Sequence, residues 1–292
     1  MNLSQDPTML LLLGLLFSIS NIMHAVHQLH QFRKSLSTTT YKARGQRVIR
    51  CSLCQLAKQF CICAMAPKKG EISSKAGFLL LMYDTEVLKP SNTGKLIADL
   101  VPDTYAFLWS RTTKNDELQA VLDDEKWQPF VVFPQEYAQE NRPVETQVIN
   151  CSTGKRPLFI MLDGSWREAK KMFRKSPYLD KFPLVSFDPK LFFGSKLPDS
   201  KLAGGELSAS VEQTPVGENS RYTVRKTELA HQFSTAEVAA RVLAMSGEHN
   251  NAHLLDLWFD VFNYQYQKSV CQRNKGNPAA LENYQQFINN KI

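Results

Sequence analysis

The chain has 292 residues, 43% hydrophobic and 22% charged, with a formal net charge of +7 and a pI near 9.0. That composition excludes a disordered polyelectrolyte, a collagen-like fibre and a disulfide-dense miniprotein, and leaves an ordinary globular chain of one large domain or two modest ones. The basic excess favours a polyanionic partner such as nucleic acid without requiring one.

Residues 9–23 are apolar, with Leu10 to Leu13, Leu15, Leu16, Phe17 and Ile19 interrupted by Gly14, Ser18, Ser20 and Asn21. A membrane span needs roughly 20 apolar residues, and Asp6 stands where a secretory signal would carry Lys or Arg. The expectation is an upstream extension or a membrane-leaning helix. His24, His27 and His30 follow near one side of a possible helix, where a partly solvated extension is favoured over a metal role. Residues 31–50 are polar and basic, and read as a flexible linker.

Cys51, Cys54, Cys61 and Cys63 then form a C-x₂-C…C-x-C set. Four thiolates on tight knuckles suit tetrahedral zinc. Disulfides and an iron–sulfur cluster are the rivals, but crowding at one end suits neither the usual disulfide framework nor the usual cluster spacing. Cys151 and Cys271 stand alone and read as ordinary thiols. A zinc knuckle implies a reducing compartment, so the expected location is cytoplasmic.

Short apolar runs predict buried strands at 78–83, 105–110, 129–134, 158–162 and 183–187. Helical spacing predicts helices at 96–101, 116–124, 166–174, 234–243 and 253–267. Strands alternating with helices at this interval predict an α/β fold, a mostly parallel sheet with flanking helices. Ser91-Asn-Thr-Gly-Lys95 opens one helix and offers N–H groups to an anion, although it is not a P-loop. Asp163-Gly-Ser-Trp166 joins the central strand to the next helix, where open α/β sheets place their ligands. The same residues also suit a plain N-cap. Residues 188–220 are irregular and lead to Arg221, Tyr222, Arg225 and Lys226, which suit phosphate contact and base stacking or a solvated basic loop. Ser234 to Glu237 fits a capping box. Beyond 268 the tail is polar.

Taken in order, Cys51-x₂-Cys54-x₆-Cys61-x-Cys63, Tyr83-x-x-Glu86-x-x-Lys89-x-Ser91-Asn92-Thr93-Gly94, Asp163-Gly-Ser-Trp166, Ser220-Arg-Tyr-x-x-Arg225-Lys226 and Ser234-Thr235-x-Glu237 resemble the DTW-domain family. The resemblance covers roughly 48–265. The family's signature is Asp-x-Thr-Trp, and Ser165 stands here in place of the threonine, keeping the hydroxyl and losing a methyl. The resemblance implies a SPOUT-like α/β fold and three regions: an extension and basic linker (1–47), a transferase domain (48–268) with its four-cysteine zinc knuckle (51–63), and a tail (269–292).

It also implies a tRNA-uridine aminocarboxypropyltransferase, moving the 3-amino-3-carboxypropyl group of S-adenosylmethionine to uridine N3. Rival readings are an RNA methyltransferase using the same cofactor and a non-catalytic zinc-containing RNA-binding module. The expected catalytic residues are Asp163, Ser165 and Trp166, with Asp163 as a base whose pKa burial would raise. Glu86, Thr93, Gly94, Asp163 and Trp166 are expected at the cofactor. Lys89, Arg221, Tyr222, Arg225 and Lys226 are expected at tRNA. The four cysteines are expected to hold a structural zinc, and no stable membrane partner is expected.

Overall fold

The computed structural model describes residues 23–38, 47–68, 70–187, 220–222, 224 and 233–290. Arg225, Lys226 and the apolar segment before residue 23 lie outside them. Six strands form one sheet: β1 (Gly77–Met82), β2 (Thr104–Leu108), β3 (Trp127–Val132), β4 (Val144–Glu145), β5 (Arg156–Asp163) and β6 (Leu184–Val185). The order is β2-β1-β5-β3-β6-β4 and every pair is parallel. The expected α/β architecture is therefore present, with the last strand shorter than its apolar run and a two-residue β4 that no apolar run announces.

β1 is buried on both faces, which is why it reads as a continuous apolar run rather than an alternation. Phe78, Leu80 and Met82 face one core, with Phe159 and Met161 of β5. Leu79 and Leu81 face the other, with Leu158 and Ile160. The first core is covered by α2 (Gly94–Leu100), α5 (Thr235–Met245) and α6 (His249–Val270). The second is covered by α3 (Asp116–Asp123) and α4 (Trp166–Arg174). Two-residue alternation along β5 then assigns Asp163 to the face of Phe159 and Met161, towards α2 and α5.

Two further helices enlarge the first layer. The polar tail contains α7 (Ala280–Asn289), whose Ala280 and Tyr284 are buried on α6, with the Tyr284 ring 5.1 Å from that of Trp258. One i, i+4 pair is enough to seat a helix that looks polar by composition.

The other addition is α1 (Ala25–Ser35), which packs by Val26 on the same core. Its histidines are half-buried, and His24 anchors the start of the helix. His24 Nδ1 accepts from the His27 backbone N–H at 3.3 Å, so the proton sits on Nε2, which donates to Asp99 Oδ1 at 3.1 Å. Asp99 Oδ2 accepts from Trp258 Nε1 at 2.9 Å. The ligand atoms of His24, His27 and Asp99 lie within 4.8 Å of one another, near enough for an ion. At the other end of α1, Arg33 grips both oxygens of Asp84, with Nη2 to Oδ2 at 2.8 Å.

Burial, helped by His24 and Lys95, pushes His27 down to about 3, and burial with Lys95 and Lys34 pushes His30 down to about 4. A histidine kept neutral when docked binds its proton more readily when undocked. Its contribution is therefore complete above the ordinary value near 6.5 and declines as pH falls towards 4. Amide exchange across Ala25–Ser35 is expected to accelerate between pH 7 and pH 4.5 relative to β1 and β5, after correction for intrinsic rates. Unchanged relative protection would show that these rings do not hold α1.

Candidate active site

Asp163 ends the central strand with 2% of its surface exposed. A carboxylate this deep must be paired, and both oxygens are. Oδ2 accepts from Asn92 Nδ2 at 2.7 Å, and Oδ1 accepts from Thr235 Oγ1 at 2.6 Å. Asn92 Nδ2 also donates to the buried Glu86 (3.1 Å), and Asn92 Oδ1 accepts from the Gly94 N–H at 3.0 Å. Lys89 Nζ closes the chain on Glu86 Oε2 at 2.7 Å. Thr93 Oγ1 accepts from the Ala236 N–H at 3.3 Å, tying the 83–94 loop to the first turn of α5. Gly94 is required by space, because a Cβ there would stand 2.7 Å from Asp163 Oδ2.

Glu237 is a second hub. It completes a capping box with Ser234, as the S-x-x-E spacing predicts. It also accepts from Ser220 Oγ at 2.7 Å and the Arg221 N–H at 2.9 Å, pulling in the segment after the long loop. Tyr222 donates its hydroxyl to the Ser91 carbonyl. Glu86 to Gly94, Asp163, Ser220 to Tyr222 and Ser234 to Glu237 thus meet in one bonded assembly at the carboxyl end of the sheet. Four remote stretches sharing one site is the arrangement that the ordered motifs require.

A family model described as "DTW domain" matches residues 48–267. The chain belongs to the DTW domain family. No solved structure matches it. Membership is consistent with a tRNA-modifying role. The matched region begins after α1 and ends near the last turn of α6, so α1 and α7 flank the DTW domain and pack on it.

Within the DTW signature the residues divide by what they touch. Ser165 is the N-cap of α4: its hydroxyl bonds Glu168 at 2.6 Å and the cap is closed from both sides. The plain N-cap alternative therefore holds for Ser165, and it explains the departure from threonine, since either hydroxyl caps a helix. Trp166, the first helical residue, is half-buried and stacks on Phe133 at 5.5 Å and 14°. The Ser-Asn-Thr-Gly-Lys turn, expected to grip an anion, is braced internally. The Gly94 N–H is taken by Asn92, and Lys95 Nζ donates to the Pro90 carbonyl at 2.8 Å while lying over the Phe262 ring.

Arg221 and Tyr222, expected at an RNA surface, are turned inward. The Arg221 guanidinium donates to Asp256 at 2.6 Å and Asp260 at 2.8 Å, and the Tyr222 ring meets Phe259 edge-on at 5.7 Å. The reason is long-range. Two carboxylates one turn apart on α6 return to neutralise a cation far upstream, where the local sequence shows only base. Burial pushes Asp260 up to about 6 against the pull of Arg221, as expected where two carboxylates share one guanidinium.

The four cysteines converge as their spacing predicts. Cys51 to Cys63 and Cys54 to Cys61 are each 3.7 Å between sulfurs, and all four sulfurs lie within 4.8 Å. Tetrahedral Zn–S bonds of about 2.3 Å put sulfurs about 3.8 Å apart, so this group can hold a zinc ion. A hydrogen bond from Cys63 pulls Cys54 down to about 5 and correspondingly pushes Cys63 up, because like charges this close cannot accumulate without a cation. The knuckle is part of the core: Leu56 and Ile62 are buried, Lys268 lies over Phe60, and Tyr284 donates to the Met65 carbonyl at 2.8 Å.

Removing zinc with a strong chelator is expected to lower Tm by roughly 3–5 °C, equivalent to about 2–3 kcal/mol in a chain of this size. An unchanged Tm in protein shown to contain zinc beforehand would separate the knuckle from core stability. Ser165→Ala is expected to cost about 1 kcal/mol in chemical denaturation, and Ser165→Thr almost nothing. Equal stability of all three forms would contradict the capping role.

Proposed function

We propose that this DTW protein transfers the 3-amino-3-carboxypropyl group of S-adenosylmethionine to N3 of a uridine in tRNA. N3 loses its proton and forms a bond to the methionyl γ-carbon. The carbon–sulfur bond breaks with its electron pair going to sulfur, which leaves as methylthioadenosine. The observation that supports this most is the assembly of the DTW signature segments Glu86 to Gly94, Ser220 to Tyr222 and Ser234 to Glu237 around Asp163.

In this reading Asp163 takes the N3 proton when the uracil displaces one of its hydrogen-bond donors, such as Asn92 or Thr235. Those partners hold the carboxylate in one orientation until then. Trp166, packed on Phe133, fixes the start of α4 directly after the strand that carries Asp163. Glu86, Thr93 and Gly94 act from behind, by fixing Asn92 and the first turn of α5. Zinc at Cys51, Cys54, Cys61 and Cys63 is structural, because four thiolates leave it no open position. Thiols kept reduced for that purpose suit the cytoplasm. No helix among the described residues is long and apolar enough to cross a membrane.

Nucleoside mass spectrometry of tRNA incubated with the protein and S-adenosylmethionine is expected to show a uridine heavier by one aminocarboxypropyl group, with methylthioadenosine released in equal amount. A methyl group in its place would make the protein a methyltransferase, and no adduct from zinc-loaded, folded protein would remove the transferase reading. Asp163→Asn is expected to lower transfer by on the order of 10²–10⁴-fold, and a folded variant with full activity would sink the base assignment.

A further inference from the structure

Arg221 is neutralised by Asp256 and Asp260, whereas α4 presents a basic face that is not neutralised in this way. Its run Arg167-Glu-Ala-Lys-Lys-Met-Phe-Arg-Lys175 carries five cations and one acid. Glu168 is held in the capping box, and among the described residues none of the five cations forms an ion pair with a carboxylate. Arg167, Lys171, Arg174 and Lys175 are exposed and Lys170 is half-buried. The apolar side of the same helix, Ala169, Met172 and Phe173, is sealed into the core. The cations therefore cannot turn inward as Arg221 does.

Aromatic rings flank this basic face. Tyr83 follows β1, Trp109 follows β2, and their rings stack at 5.9 Å and 20°. Lys171 lies over both, 5.5 Å from Tyr83 and 5.8 Å from Trp109. Across the helix, Lys170 lies over Trp166 at 5.6 Å and Tyr137 at 6.0 Å. The pair is joined directly to the central strand: the Tyr83 N–H donates to the Asp163 carbonyl at 2.9 Å, and the Trp109 N–H to the Met82 carbonyl at 2.8 Å. Unneutralised cations interleaved with partly exposed rings are what a single-stranded nucleic acid requires, since its phosphates need charge and its unpaired bases need flat partners. A plain solvated helix face explains the charges, but it does not explain two lysines each poised over a pair of rings beside the same strand end.

We propose that the exposed face of α4, with the Tyr83–Trp109 pair, is the surface that binds the single-stranded loop of tRNA on either side of the target uridine. Arg167, Lys171 and Arg174 hold its phosphates, and the Tyr83–Trp109 pair stacks a neighbouring base. This rests on the tRNA reading above and adds where the RNA lies. The Trp109 indole N–H donates to Ser176 at 2.9 Å, which pins one ring so that it forms a rigid base for the stack.

The test uses the full chain, zinc-loaded, with unmodified tRNA as the probe. Lys171→Ala/Arg174→Ala is expected to raise the Kd for tRNA on the order of tenfold. It should also flatten the plot of log K against log salt by roughly 1.4, the value for two phosphate contacts to a single strand. Tyr83→Leu is expected to weaken binding severalfold without changing the salt slope, as loss of stacking should. In both variants the KM for tRNA rises while kcat at saturation and the far-ultraviolet circular dichroism stay as in the parent. If the double variant is folded and binds tRNA with the parent's Kd and slope, the surface assignment is overturned, while transfer activity of the parent leaves the functional reading standing. A parent protein that binds no tRNA overturns both.

Discussion

A carboxylate at the end of the central strand, with almost no access to water, is the constraint around which this protein is built. Asp163 cannot be left unpaired in such a place. Donors to it come from elements on either side of it in sequence: Asn92 before α2 and Thr235 at the head of α5. Satisfying one carboxylate therefore holds the loop after β1, the central strand and the α5 layer in register. Glu86, Lys89, Thr93 and Gly94 extend the same bonding outward, and Glu237 repeats the device for the segment beginning at Ser220. Residues that appear in the signature as a reactive set are in large part a mutual scaffold, and that division of labour is what preorganisation at a site demands.

The electrostatics follow a similar separation. Cations near the first layer are consumed internally: Arg221 by Asp256 and Asp260, Arg241 by Asp256, and Lys89 by Glu86. Cations on α4 pair with no carboxylate among the described residues, and that helix packs through a narrow apolar stripe of Ala169, Met172 and Phe173. A net charge of +7 becomes directional only through this sorting. The basic face lies on the helix that follows Asp163, so a phosphate chain held there would pass the strand end.

The cysteine knuckle and the flanking helices solve a different problem. Within the DTW region the knuckle adds Leu56 and Ile62 to the first core, and outside it α7 and α1 cover α6 and the side of α2 with Tyr284 and Val26. Asp99, held by Trp258 on α6, accepts His24 from α1, so a segment outside the family region is keyed to the core by a buried polar contact. The other end of α1 is fastened by Arg33 to Asp84, next to Tyr83, and so reaches the loop that carries Glu86 and Asn92.

What the sequence determined by itself was everything governed by neighbours along the chain. The apolar runs located β1, β2, β3 and β5, the cysteine spacing located a tetrahedral sulfur group, and Ser234 to Glu237 announced its capping box. Local periodicity and capping depend on residues three or four positions apart, so they are legible without a fold. What only the tertiary structure decided was which polar groups meet. β5 inserts between β1 and β3, and that strand order alone brings Asp163 to Asn92 and Thr235, 71 and 72 residues away. The same long-range packing neutralised Arg221, buried Tyr222, seated α1 and α7, and left α4 as the basic face. A cation's local sequence shows its charge; whether that charge is neutralised depends on acids that folding delivers from elsewhere.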